Sequence, residues 1–365
     1  MALQCGIIGI TNVGKTTIFN CISRTKGEIN AFAFSATKSN IGIIEVPDPR
    51  LAELEQFQKT EKLIPTTVEI VDVPGLTKGA SRGEGVGNRF LGDIRNTDAL
   101  IHVLRCFDDE ALPHIDGSVD PVRDLQNIDF ELQIKDLESV EKKIERLKKV
   151  AKTGDKDAIR GIEVLESVKE HLEEFRNVRS LDLKQADMKY LDDIFLLTVK
   201  PVIYVCNVDE ASALNGNHYV DQVKESLAEE STGVLVIAGA LEAEIAELED
   251  EADRLEFLAD TGLPEPGVNR LVREAYRMLD LQTFFTVGPK EIRAWTIRRG
   301  STAPQAAGVI HSDLERGFIR AEVMKYDDFI KYGSEQACKE AGRFHVEGKN
   351  YIVDDGDILH IRFNV

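Results

Sequence analysis

The residues best equipped for chemistry stand near the front of the chain, in Gly9-Ile10-Thr11-Asn12-Val13-Gly14-Lys15-Thr16-Thr17. Two glycines bound a tight loop whose successive N–H groups can point at phosphate oxygens, with Asn12, Val13 and Gly14 forming the cradle. Lys15 adds a point charge for the β- and γ-phosphates and Thr16 a hydroxyl for Mg²⁺. Thr17 leads into a helix whose positive dipole end faces the same phosphates. The alternative is a glycine-rich strand-to-helix turn with an ordinary surface lysine. The flanks favour the first reading: Cys5-Gly6-Ile7-Ile8 is a short apolar run, and Ile18-Phe19 to Ile22 has helical spacing.

Further candidates follow in order. Val68–Val73 reads as a buried strand ending in Asp72-Val73-Pro74-Gly75. An aspartate there can hold the hydration shell of Mg²⁺, and Gly75 can swing its N–H toward a γ-phosphate. By itself Asp72 reads as a turn cap, and the upstream loop gives it the metal role. The glycines of 78–88 suit a segment that orders around a γ-phosphate. His102, inside the apolar strand Ala99–Cys106, reads as a core histidine. His114 lies in the irregular 108–120 loop just past that strand, where ligands sit in open α/β sheets.

The elements that must position these residues are legible at coarse grain. A chain of 365 residues is too long for one ordinary core. Apolar strands alternating with helices predict an α/β nucleotide-binding domain with a mostly parallel sheet, over 1–127 and 198–281. Strands are expected at Ile41–Val46, Pro201–Asn207 and Gly233–Ile237, and helices at Leu51–Phe57, Asn88–Asn96, Glu242–Leu258 and Gly267–Leu279. Between the two parts, 128–197, Leu137, Val140, Ile144, Leu147 and Ala151 form an apolar seam, broken by Thr153-Gly154-Asp155. A second amphipathic run from Ala158 to Phe175 completes an antiparallel helical hairpin arm. Its tip, Lys142–Lys156, holds seven Lys/Arg against Glu145 and Asp155. Either this is a solvated helical face or it contacts RNA, and a basic tip on an acidic protein favours RNA. The remainder, 282–365, alternates like strands around one helix at Thr302–Ile310, a small α+β domain.

Composition sets the outer limits. Net charge is −19, which argues against a protein coated in nucleic acid, and no apolar run approaches the ~20 residues of a membrane helix. The start lacks the basic and apolar regions of a signal peptide. The five cysteines are scattered without metal-ligand spacing and read as reduced thiols, so a cytoplasmic location and no membrane contact are expected.

Gly9–Thr16, Asp72-Val-Pro-Gly-Leu76 and Asn207-Val208-Asp209-Glu210 together resemble the YchF group of Obg-related P-loop proteins, the Obg-like ATPases. So do Pro47-Asp-Pro-Arg-Leu51, Gly83-Glu-Gly-Val-Gly-Asn88, Arg105-Cys-Phe107, Ala303-Pro-Gln-Ala-Ala307 and Gly317-Phe-Ile-Arg-Ala-Glu-Val323. The resemblance covers nearly the whole chain. It implies a cytosolic ATPase that associates with the ribosome, meeting the large subunit and its RNA through the arm tip and a C-terminal β-grasp (TGS) domain.

GTPases of this fold carry Asn-Lys-x-Asp after the strand that ends at Asn207. Here Val208 and Glu210 replace the Lys and Asp. Losing the paired carboxylate bonds removes ~10–1,000-fold of guanine preference. Asn207 can serve either purine with its amide, and the resemblance adds ATP over GTP, with Ala238-Gly239-Ala240 completing the nucleotide-binding set. Leu76 stands where many relatives place a water-positioning Gln, so hydrolysis is expected to be slow. The resemblance makes His114 the catalytic candidate, on a mobile loop, against the alternative of a solvated loop histidine. Asn12 either helps hold K⁺ or braces its turn. The switch position that supplies a Mg²⁺-ligating Thr is Ala36 here, beside Ser35 and Thr37, which predicts looser coupling of that loop to the nucleotide. The competing functions are a GTPase of ribosome assembly and a nucleotide-stabilised ribosome- or RNA-binding module with negligible turnover.

Overall fold

The computed structural model describes residues 3–24, 40–74, 86–228, 230 and 232–364. Ala36, Gly75, Leu76 and most of the 78–88 glycine loop lie outside them. Gln4–Ile8 (β1) runs into the phosphate-type loop and then Lys15–Arg24 (α1). Asn40–Glu45 (β2), Pro49–Phe57 (α2), Leu63–Ile64 (β3), Thr67–Asp72 (β4), Val86–Asn96 (α3) and Ala99–Cys106 (β5) follow. The arm consists of Pro121–Ala151 (α4) and Lys156–Glu173 (α5). After it come Val202–Val208 (β6), His218–Ser226 (α6), Val234–Ile237 (β7), Gly239–Glu247 (α7), Glu251–Thr261 (α8) and Gly267–Met278 (α9).

The chain forms two compact units, 1–42 with 69–271 and 43–68 with 272–365. The first is built on a sheet of order β2-β4-β1-β5-β6-β7, parallel at every pairing from β4 to β7. β5 is buried along its whole length, the pattern of a central parallel strand with both faces covered. The register aligns strand ends: Ile7 pairs with Asp72, Arg105 with Asn207, and Asn207 with Ile237. Parallel pairing therefore brings the loop after β1, Asp72, the loop after β5, Asn207 and the start of α7 to one edge of the sheet.

The arm starts earlier than its apolar seam indicates. Asp120 accepts the N–H of Arg123 and Pro121 opens the helix, so α4 runs unbroken for 31 residues, about 46 Å. Leu125 and Ile128 are buried within the first unit, and α4 passes through residue 127 without a break. The hairpin also has a third layer. The 3₁₀ turns Val178–Ser180 and Gln185–Tyr190 and the chain to Leu196 lie over the α4–α5 seam, adding Val178, Leu191, Ile194 and Leu196 to a core of Val140, Ile144, Leu165 and Val168. At its root Asp136, 1% exposed, accepts the N–H groups of Leu197 and Thr198 at 2.8 and 2.7 Å and the Thr198 hydroxyl at 2.7 Å. The acidic helix expected over Glu242–Leu258 is two helices, because the Asp250 carboxylate accepts the N–H of Ala252 and starts α8 afresh.

The second unit contains Leu281–Val287 (β8), Ile292–Arg298 (β9), Ala303–Ile310 (α10), Ser312–Arg316 (α11) and Phe318–Met324 (β10). Tyr326–Tyr332 (α12), Glu335–Glu340 (α13), His345–Glu347 (β11) and Ile358–Phe363 (β12) complete it. Its mixed sheet has the order β11-β10-β12-β8-β9-β3. Adjacent phenylalanines of β8 take opposite faces, as a period of two requires. Phe284 packs with Ala303, Ala306 and Ala307 of α10, and Phe285 with Leu51 and Leu54 of α2, Phe329 and Cys338. Two expectations change here. Among the described residues four helices, not one, follow β9, and the 43–68 segment groups with this unit rather than the nucleotide-binding one. β3 pairs with β9 and Arg50 reaches Asp355 at 2.8 Å.

Candidate functional site

The loop after β1 has the shape its sequence predicts. A side chain at Gly9 would place its Cβ 2.6 Å from the Val103 carbonyl, and Gly14 has φ +91°, so both positions need glycine. Lys15 opens α1 almost fully buried, with Nζ donating to the Ile10 carbonyl at 2.9 Å. Burial lowers its pKa to about 8, opposed by the attraction of Asp72. The Asp72 carboxyl is shifted upward by its own burial, with Lys15 opposing. Thr16 and Thr17 are exposed, so the hydroxyl that a metal would need is free of the core. A hydroxyl and a carboxylate are hard oxygen donors, and both suit Mg²⁺.

On the base side the structure adds one role. Asn207, 5% exposed, donates from Nδ2 to the Val13 carbonyl and accepts the Gly239 N–H on Oδ1, both at 2.9 Å. Its amide bridges the phosphate loop to the start of α7 with one N–H and one oxygen lone pair. Val208 is buried beside Cys106, and Glu210 is exposed at the start of a 3₁₀ turn. The cap of that turn is Asp209, whose carboxylate accepts the Ser212 N–H. Ala238 and Gly239 are buried and Ala240 is exposed. Glu242, one turn into α7, accepts the N–H groups of Gly267 and Val268 at 2.6 and 3.3 Å and so holds the start of α9.

His114 lies in a loop held together by buried hydrogen bonds. Arg105, 1% exposed, donates to the carbonyls of Phe107, Leu112 and Asp109 and lies 4.7 Å from the Phe107 ring centre. Those bonds satisfy a guanidinium and fold the loop around it. Asn12, at φ +64°, donates to the Pro113 carbonyl at 3.3 Å, tying the loop to the phosphate cradle. The His114 ring bonds Asp124 at 2.9 Å, with the two side chains 3% and 1% exposed. It is therefore not a solvated loop histidine. His102 is in the core as expected, 5.6 Å from the Tyr204 ring, but its Nε2 has no partner among the described residues. Burial lowers its pKa to about 3, so the ring is neutral.

At the arm tip the basic run divides. Lys143 is buried, donating to the Tyr190 carbonyl and to Asp193, and belongs to the arm's interior. Lys148 pairs with Glu145 and Glu166. Lys149, Lys152 and Lys156 are exposed, with no acidic partner among the described residues. Arg105, Asp124 and Glu242 were given no individual role from sequence. Only Asp124 left a local signal, an acid in the first turn of a helix opened by Asp120-Pro121.

A family model described as a 50S ribosome-binding GTPase matches residues 4–154, and a YchF-GTPase C-terminal model, described as a protein of unknown function, matches 281–364. The chain is 48% identical to the ribosome-binding ATPase YchF of Haemophilus ducreyi over 365 residues, all of both chains. It is 47% identical to that of Escherichia coli O157:H7 and 45% to that of Bacillus subtilis, again over the full length of each. Among solved structures, the Schizosaccharomyces pombe YchF GTPase superposes with a TM-score of 0.89 at 35% identity, over 99% of this chain and 97% of that one.

Proposed function

The chain belongs to the YchF family, and on that premise we propose that it is a ribosome-binding ATPase that hydrolyses ATP slowly and in preference to GTP. The observation that carries this reading is the cradle: Lys15 poised against Ile10 beside Asp72, Thr16 open, and the whole loop clamped through Asn207. Phosphates replace the Ile10 carbonyl as the partner of the ammonium. Thr16 and Asp72 would hold Mg²⁺, which neutralises phosphate charge when bound. Gly75 follows Asp72 and is assigned to the γ-phosphate, with Ala36 weakening the opposite switch. Asn12 braces its turn through the amide nitrogen that serves Pro113, and its amide oxygen is the atom that would face K⁺. Exposed Glu210 and apolar Val208 do not supply the fixed carboxylate and lysine stem that guanine selection uses, which supports ATP. His114 is the residue assigned to the attacking water. The exposed lysines at the arm tip and the C-terminal unit are assigned to the large ribosomal subunit and its RNA, which would put the protein's work in the cytoplasm. Among the described residues no helix is long and apolar enough to cross a membrane.

The test is phosphate release from ATP and from GTP, with and without 50S subunits, alongside co-sedimentation with separated subunits. Slow release that is faster for ATP and rises with 50S is expected; tighter binding and faster turnover of GTP would overturn the base assignment. A binding module with negligible turnover is the second reading, favoured by the engagement of both His114 ring nitrogens. Absence of release in every condition would select it.

A further inference from the structure

The two bonds of the His114 ring fix its tautomer. Nδ1 accepts the Asp116 N–H at 3.1 Å and so carries no proton, which leaves the proton of the ring on Nε2, donated to Asp124 Oδ2 at 2.9 Å. With both nitrogens used and 3% of the side chain exposed, the ring has no site left to orient a water. Asp124 is not part of the loop. It lies in the first turn of α4, the helix that runs the length of the arm, and its other oxygen faces Arg123 at 3.5 Å. On the opposite side, Asn12 of the phosphate cradle holds the Pro113 carbonyl, one residue from the ring. His114 thus stands between the phosphate loop and the root of the arm, bonded to the arm.

We propose that Asp124 is the positioning residue of His114: its carboxylate stows the imidazole, and movement of α4 relative to the loop releases the ring toward the γ-phosphate. The proposal rests on the assignment of His114 to hydrolysis. It makes the arm a control on the reaction, because whatever displaces the arm acts on the bond that keeps the ring away. Burial makes the arrangement two-state. A carboxylate 1% exposed cannot be left half-bonded without cost, so the pair is either closed or replaced by new partners for both groups.

The experiment compares the full chain with Asp124→Asn, Asp124→Ala, His114→Ala and the Asp124→Ala/His114→Ala double variant, in single-turnover ATP hydrolysis without ribosomes and in equilibrium ATP binding. Asp124→Ala is expected to raise the rate about tenfold, the order set by one hydrogen bond to a charged group, and Asp124→Asn, whose amide oxygen still accepts the ring N–H, by less, both at unchanged ATP Kd. The increase should vanish in the double variant and 50S subunits should add little to Asp124→Ala. A rate that is unchanged or lower in Asp124→Ala, with cooperative melting and normal Kd, overturns the latch while leaving His114 in place. An unchanged rate in His114→Ala removes the assignment on which the latch stands. Because loss of a buried carboxylate can impair folding, ¹⁵N NMR of the wild-type His114 ring gives an independent check. A neutral Nε2–H tautomer is expected, and a cationic ring or an Nδ1–H tautomer overturns the proposal.

Discussion

Asn207 shows how far a motif position can differ from the role its type suggests. Its amide closes a bridge between Val13 and Gly239, so its removal should loosen the cradle without regard to the base. Asn207→Ala orphans a buried carbonyl and a buried N–H, at ~1–3 kcal/mol each. Nucleotide affinity is expected to fall about tenfold or more, by the same factor for ATP and GTP in parallel titrations; a loss confined to ATP would restore the base-reading role. Lys15 sets a pH dependence. Its ammonium is needed by the phosphates, yet burial lowers the pKa from 10.5 to about 8. Binding therefore takes up a proton above pH 8, and Kd should weaken by up to ~tenfold per pH unit there, with the slope absent in Lys15→Met. The fold responds with the opposite sign. The unfolded chain holds more protons between those two values, so this lysine's contribution to stability rises with pH in the same interval.

At the scale of elements, the arm was legible as two helices and illegible as a three-layered body. Its seam follows from apolar spacing, whereas the return segment carries 3₁₀ turns with no sustained period. Asp136 fixes where that segment rejoins the sheet. Asp136→Ala removes the acceptor of three buried donors and should cost roughly 3 kcal/mol, read as a lower midpoint in urea with the cooperativity retained. The tip behaves differently because its charges face water. Lys149, Lys152 and Lys156 changed together to Ala should leave thermal stability within about 0.5 kcal/mol of wild type. Co-sedimentation with 50S subunits should weaken and its salt slope should flatten. Unaltered binding at all salt concentrations would remove the tip from the interface. Lys143 is excluded from that set, since it is buried against Tyr190 and Asp193 and its loss should lower stability instead.

For the whole molecule, the division into units is the main departure from a linear reading. Residues 43–68 contribute Leu51, Leu54 and β3 to the core and sheet of the C-terminal unit, more than 200 residues from their partners along the chain. The isolated segment 272–365 should therefore melt without cooperativity by circular dichroism. Linking 43–68 to it should restore a sigmoidal transition; cooperative melting of 272–365 alone would show that α2 and β3 are dispensable.

What the sequence by itself determined was local: the glycine-bounded loop, the order of strands and helices, the apolar seam of the arm, and a base site without the guanine pair. Each depends on groups a few residues apart, where backbone sterics and side-chain period act directly. The family resemblance added the expectation of ribosome association and of a role for His114. Tertiary structure alone decided the partnerships. Asn207 meets Val13 across 194 residues, His114 meets a carboxylate on the arm's helix, Arg105 meets three carbonyls of its own loop, and 43–68 crosses to the other unit. Such pairings obey the requirement that buried polar groups be satisfied, but that requirement names no partner until the chain has brought the groups together.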